Sequence, residues 1–154
     1  MKQPVNKLTA GLSALAVLVL FGIATIAVSP TDAQEITVYK TPSCRCCTKW
    51  VEHLEQNGFD ATVVSLDDLS RVKSRLGVPH RLRSCHTAET GGYVIEGHVP
   101  AADIARLLEE RPGASGLAVP GMPVGSPGME HGDRKDPYDV ILFEGDERKV
   151  YTAH

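Results

Sequence analysis

Basic charge is scarce in this chain, and so is cysteine. Sixteen lysines and arginines stand against nineteen aspartates and glutamates, for a net charge of −3. The basic residues are not gathered into a patch, which argues against nucleic acid as a partner. Four cysteines in 154 residues fall far short of the density of small secreted scaffolds held together by disulfides. A chain of this length can bury a core without them, so the cysteines are not explained by stapling alone. No internal repeat is visible, and the length suggests one folded domain. Charge is missing altogether from Leu8 to Val28, a run dominated by Leu, Ala, Val and Ile.

That uncharged run follows Lys2 and Lys7 and precedes Thr31-Asp32-Ala33, which offers small residues at the positions a signal peptidase reads. Residues 1–33 are therefore expected to be a signal peptide cleaved before Gln34 or an uncleaved membrane anchor, since about 20 apolar residues span a bilayer. Either way residues 34–154 form the working domain, outside the cytoplasm. In a bacterium that is the periplasm, with membrane contact only through the N-terminal segment.

Within that domain three of the four cysteines occupy four positions, Cys44-Arg45-Cys46-Cys47, and the fourth is Cys85 in Ser84-Cys85-His86-Thr87. The cluster follows an alternating apolar run, Ile36 to Tyr39, and a turn at Thr41-Pro42-Ser43. It opens a helical pattern from Thr48 to Asn57, with Ser43 as the expected N-cap. A helix N-terminus carries partial positive charge and unpaired N–H groups, which favour thiolate over thiol. Thiolate is the form that attacks disulfides and binds soft metals. Three roles follow: metal binding, disulfide exchange or stapling.

The remaining pattern is α/β. Glu35–Tyr39 and Ala61–Leu66 read as strands around the first helix, on which Cys47, Val51 and Leu54 share a face. A second helix follows Asp67-Asp68 and is closed by Gly77. Strand, helix, strand at this spacing forms a right-handed βαβ unit with parallel strands. A loop then leads to Cys85, Tyr93–Ile95 forms a third strand, and Pro100 opens a third helix that ends at Arg111-Pro112-Gly113. The Gly/Pro-rich stretch from Gly113 to Gly132 reads as a long ordered loop or a flexible arm. Tyr138–Phe143 and Arg148–Thr152 flank a hairpin turn. A strand, a cysteine-bearing turn and a helix at the start of such a domain is a thioredoxin-like arrangement, with a mixed sheet and a C-terminal β-hairpin.

Several blocks in order resemble the CopG-like family of small, exported, copper-associated proteins. They are Val38 through Cys47, Lys49-Trp50, Gly77-Val78-Pro79, Ser84 through Thr87, Gly92 through Pro100, Gly116 through Pro123 and Gly125 through Glu130. The similarity runs from about Ile36 to the C-terminus. Arg45 departs from the small residue more usual at its position. The resemblance implies a thioredoxin-like fold, copper handling at the cysteines and a role in periplasmic copper tolerance, with envelope efflux or chaperone proteins as further partners.

A redox enzyme needs only the Cys44/Cys47 pair, so Cys46 is surplus to disulfide exchange. Together with the resemblance, the surplus points to Cys44, Cys46, Cys47 and Cys85 as ligands converging on Cu(I), since sulfur-rich sites select soft metals. The alternative is a thiol–disulfide oxidoreductase with Cys44 as nucleophile and Cys47 as resolving thiol. A Cys₄ zinc site fits the spacing poorly. His86 is read either as an auxiliary ligand or as a capping loop histidine, and His98 is placed in the same position. Met122, Met129 and His131 are candidates for a lid or delivery site. His53 is expected to be solvated, and Trp50 to belong to the core.

Overall fold

The computed structural model describes residues 33–154, so the targeting segment expected at 1–33 lies outside the described residues apart from Ala33. In chain order the elements are β1 (Gln34–Lys40), α1 (Arg45–Gln56), β2 (Phe59–Ser65), α2 (Ser70–Arg75), a 3₁₀ turn at His80–Leu82, β3 (Thr87–Thr90), β4 (Tyr93–Glu96), α3 (Ala101–Glu110), β5 (Gly116–Ala118), β6 (Asp139–Glu144) and β7 (Glu147–Ala153). They form one seven-stranded sheet in the order β2-β1-β3-β4-β5-β6-β7. β1 and β2 are parallel, as the βαβ reading requires, and β3 and β4 run antiparallel beside β1. A second parallel pair, β4 and β5, is joined through α3. The β6–β7 hairpin closes the sheet at Gly145-Asp146. This is a mixed, thioredoxin-like α/β fold.

Alternation along the strands sorts the side chains into two layers. Ile36, Val38, Ala88, Ile95 and Leu117 face α1 and α3, where Trp50, Leu54, Ile104 and Leu107 complete the main core. Their neighbours Val94 and Ala118 face the other way, against Val78, Leu82 and Phe143. Cys47 is fully buried and shares the inward face of α1 with Val51 and Leu54, as the helical spacing predicts.

Two strands are not visible in the sequence pattern. β3 is four residues, Thr-Ala-Glu-Thr, with one aliphatic side chain. β5 is three residues inside the Gly/Pro-rich stretch. Each is held by strands on both sides, so tertiary pairing rather than local propensity makes it a strand. The Gly113–Gly132 stretch is therefore not an arm. It begins by supplying a central strand and continues as an ordered loop.

Candidate functional site

The topology brings four chain segments to one end of the sheet. Tyr39 pairs with Thr87, Thr87 with Glu96, and Glu96 with Ala118. The last residues of β1, β4 and β5 and the first of β3 therefore lie side by side. The cysteine turn leaves β1 there, Ser84-Cys85-His86 enters β3 there, Gly97-His98 leaves β4 there, and the Gly/Pro-rich loop leaves β5 there.

Cys44, and not Ser43, caps α1. Its sulfur accepts the N–H of Cys47 at 3.3 Å, while Ser43 is exposed and lies one residue outside the cap. Cys44 and Cys47 are joined as a disulfide, whereas Cys46 and Cys85 are free. Cys46 Sγ lies 3.4 Å from Cys44 Sγ. One sulfur from each of Cys44, Cys46, Cys47 and Cys85 falls within 4.8 Å of all the others, so the geometry brings the four sequence-selected residues together. No bond staples the cluster to Cys85.

Two histidines complete the centre. Cys85 Sγ lies 3.1 Å from His98 Nε2 and 3.3 Å from His86 Nδ1. His98 Nδ1 is 2.8 Å from the carbonyl of Pro127. A carbonyl only accepts, so Nδ1 carries the proton and Nε2 turns its lone pair toward Cys85. A backbone carbonyl fixing the far nitrogen is the arrangement found behind metal-ligating histidines. His86 is fully buried, and its Nε2 has no hydrogen-bond partner among the described residues. Its ring lies 4.2 Å from that of Trp50 and 4.9 Å, edge to face, from that of His98. Trp50 is wholly buried, as expected of a core residue, but it also forms a wall of the site, donating from Nε1 to the carbonyl of Val99 at 2.8 Å.

Burial governs the protonation states. It pushes the Cys85 thiol up to about 12, with the neighbouring Cys46 adding to the shift. Burial lowers the pKa of His98 and takes that of His86 well below its usual value, the positive charges of His98, Lys73 and Lys40 adding to the latter. The metal-free centre is therefore a neutral thiol among neutral imidazoles.

The Gly/Pro-rich loop is the fourth wall. Pro127 holds His98, and Gly128 packs directly on the first turn of α1. A Cβ at Gly128 would sit 2.6 Å from the carbonyl oxygen of Cys46, and the φ of +86° is itself one that side chains rarely adopt. Met129 closes this turn through its backbone, its N–H donating to Ser126 and its carbonyl accepting from Gly125. Glu130 accepts the N–H of Gly128 at 2.8 Å. Met122 is half exposed, and His131 is exposed and bridged to Arg134, outside both ligand groups.

His53 is not the solvated residue expected. Its Nε2 accepts the N–H of Ala101 at 3.1 Å and so caps α3 from a neighbouring helix. Burial lowers its pKa, in keeping with an acceptor nitrogen.

Behind the centre lies a polar knot that sequence reasoning missed. Glu96, fully buried, accepts from Lys73 Nζ and from Ser84 N–H at Oε1, and from Thr87 Oγ1 at Oε2, each at 2.5 Å. Lys73 Nζ also donates to Thr87 Oγ1 at 2.7 Å. Glu96 thus grips the chain on both sides of Cys85-His86. The only signal in the sequence is a lysine on the buried side of a short amphipathic helix.

A thioredoxin-like fold with four sulfurs and two imidazoles at the start of its first helix defines a class: a thiol protein whose centre has the donors to hold a soft metal ion. Two solved structures match the chain, described as copper resistance protein copG in form 1 and form 2. Each is 50% identical with a TM-score of 0.75, and each alignment covers 79% of this chain and 98% of the other. A family model described as a protein of unknown function, DUF411, matches residues 82–129, which include Cys85, His86, His98 and the loop turn. No protein of curated function matches. The chain belongs to the CopG-like family.

Proposed function

We propose that the protein binds copper as Cu(I) through Cys44, Cys46, Cys47 and Cys85, with His98 and His86 as further donors. It serves copper tolerance in the periplasm by holding the ion or passing it to an efflux or chaperone partner of the envelope. The observation that carries the reading is the gathering of four sulfurs within 4.8 Å of one another, one of them from a segment remote in sequence. Thiolate and imidazole donors suit Cu(I), and the matching structures are named for copper resistance. Envelope location rests on the N-terminal targeting pattern.

Loading all four sulfurs needs the Cys44–Cys47 bond opened by a thiol reductant, two thiols giving two electrons and becoming a disulfide themselves, and the Cys85 proton removed, so copper uptake is coupled to reduction and releases protons. A reduced Cys44/Cys47 pair that meets Cu(II) instead carries two electrons, enough to convert two Cu(II) to two Cu(I) as the disulfide closes and two protons leave; Cys46, Cys85 and the histidines are then the donors left for Cu(I) until the pair is reduced again. The test is titration of the anaerobically reduced protein with Cu(I) against a competing chelator, for the native chain and Cys46→Ser. Tight binding of more than one ion per chain, much of it lost in Cys46→Ser, is expected. Unchanged stoichiometry in the variant rejects the four-cysteine site.

The disulfide at Cys44–Cys47 favours a second reading, thiol–disulfide exchange with Cys44 as nucleophile. Under it, Cys46→Ser retains full activity toward a model disulfide, and reduction of that disulfide outpaces copper uptake.

A further inference from the structure

With Cys44 and Cys47 joined, the centre keeps two free thiols, Cys46 and Cys85, and both are half-buried. Their sulfurs lie within 4.8 Å of each other. A disulfide brings two sulfurs to about 2.0 Å, and the gap is within the sweep of two rotating Cα–Cβ bonds. The segments that carry the two thiols are held from behind. Ser84 donates its N–H to Glu96 and its hydroxyl to the carbonyl of Gly121, and Gly128 packs on the carbonyl of Cys46. Cys46 also lies 3.4 Å from Cys44, but Cys44 is already bonded. Of the four cysteines in the chain, Cys85 is the one left with a thiol to give. In an oxidising compartment two thiols so placed have a bond within reach.

We propose that Cys46 and Cys85 are a second redox couple, which closes to a disulfide and shuts the centre to copper. The shut-off rests on the copper reading, whereas the bond itself is measured without metal. A low-molecular-weight disulfide is the oxidant. Cys46 attacks it as thiolate, its proton passing to the small thiol released. Cys85 then attacks the Cys46 sulfur and displaces the second small thiol. The Cys85 proton leaves to His98 Nε2, 3.1 Å away, and passes to that second thiol. One disulfide is consumed and one formed, and two electrons move from the protein to the oxidant.

The centre then has three levels. With both pairs open it offers four thiolates, with Cys44–Cys47 closed it offers two, and with both closed it offers none. Thiolates are the donors that select Cu(I), so copper holding follows the number of open pairs.

The test equilibrates the metal-free protein with excess oxidised glutathione, quenches with acid, alkylates the remaining thiols and weighs the chain. The native protein is expected to show no alkylated thiol and no bound glutathione. Cys46→Ser and Cys85→Ser each retain Cys44–Cys47 and one lone thiol, and are expected to carry one glutathione or one alkyl group. The double variant Cys44→Ser with Cys47→Ser leaves only the proposed pair. Trypsin is expected to release from it residues 46–49 joined to residues 84–106. Closing this bond is also expected to raise its denaturant midpoint, since the cross-link joins α1 to the segment before β3 and restrains the unfolded chain. Should the double variant not fold, fragmentation between Cys46 and Cys47 in the linked peptides of the native chain makes the same assignment. Two alkylated thiols in the native chain, or glutathione retained on either, overturns the proposal. So does a bond mapped to any other pair. The doubly closed chain is expected to lose tight Cu(I) binding and to regain it with a thiol reductant, and tight binding by the closed form overturns the shut-off. Failure of the copper reading appears separately, as weak Cu(I) binding by the fully reduced chain, and leaves the cross-link standing.

Discussion

Two buried polar clusters share one end of the sheet, and they are built on opposite terms. In the Glu96 knot each buried donor meets an acceptor: Lys73, Ser84 N–H and Thr87 all turn to one carboxylate. In the sulfur centre on the α1 side, His86 Nε2 has no partner among the described residues and two thiols are free. A satisfied polar network rigidifies its surroundings, and an unsatisfied one stores a cost that a ligand can relieve. The first cluster therefore holds the backbone around Cys85, and the second is left for something to bind.

The largest effect that would break this contrast is loss of Glu96. In Glu96→Ala, Lys73 stays buried with its charge unmatched, and breaking a buried pair in this way costs about 3–5 kcal/mol. Denaturant titration of the metal-free protein should show it as a lower midpoint. The double variant Glu96→Leu with Lys73→Met should recover most of the loss, since it removes both charges together. A single variant that unfolds like the native protein would mean that the knot is not holding the scaffold.

A smaller effect probes the other cluster through pH. Burial lowers the pKa of His86 and His98 in the folded chain, while in the unfolded chain both titrate near 6.5. As pH falls below 6.5 the unfolded state takes up protons that the folded state refuses. Unfolded chains then bind more protons than folded ones, so stability falls with falling pH through that window and is fully present above it. Glu96, its pKa raised by burial, acts in the opposite direction around and above 4.5. Comparison with His86→Phe isolates the histidine contribution: the variant should lose less stability than the native metal-free protein between pH 6.5 and 5. Parallel curves for the two proteins would remove His86 from the account.

The same contrast explains what the sequence made legible. The cysteine turn stands out because strand alternation, a turn and a helical repeat follow one another without interruption, and because three cysteines in four positions have few uses. Its inward face, Cys47, Val51 and Leu54, follows from helical spacing alone. Cys85 and His86 could be singled out by residue type, but not their closeness to the cluster, which depends on β3 pairing with β1. Thr87–Thr90 shows little strand character by itself. Gly128 and Pro127 are opaque for a similar reason: Gly128 packs on the first turn of α1 and the Pro127 carbonyl meets His98, each across a long sequence separation. The Glu96 knot joins a helix, two strands and a loop, and local patterning carries no trace of such a junction.

The smallest effect separates the two residues whose roles were exchanged between pattern and structure. Ser43 suits a helix N-cap by type, yet the cap of α1 is Cys44, so Ser43→Ala should change stability by less than about 0.5 kcal/mol, within the range of ordinary surface substitutions. His53 carries no capping signature, since histidine is not a usual cap and it lies in another helix. It nevertheless accepts the first N–H of α3, and His53→Ala should cost about 1 kcal/mol, as loss of a helix cap does. Denaturant midpoints of the two variants, measured side by side above pH 7 where His53 is neutral, decide the matter. Equal midpoints would mean that the Ala101 N–H is satisfied by water once the imidazole is gone, and that α3 keeps its position on the sheet through Ile104 and Leu107 alone.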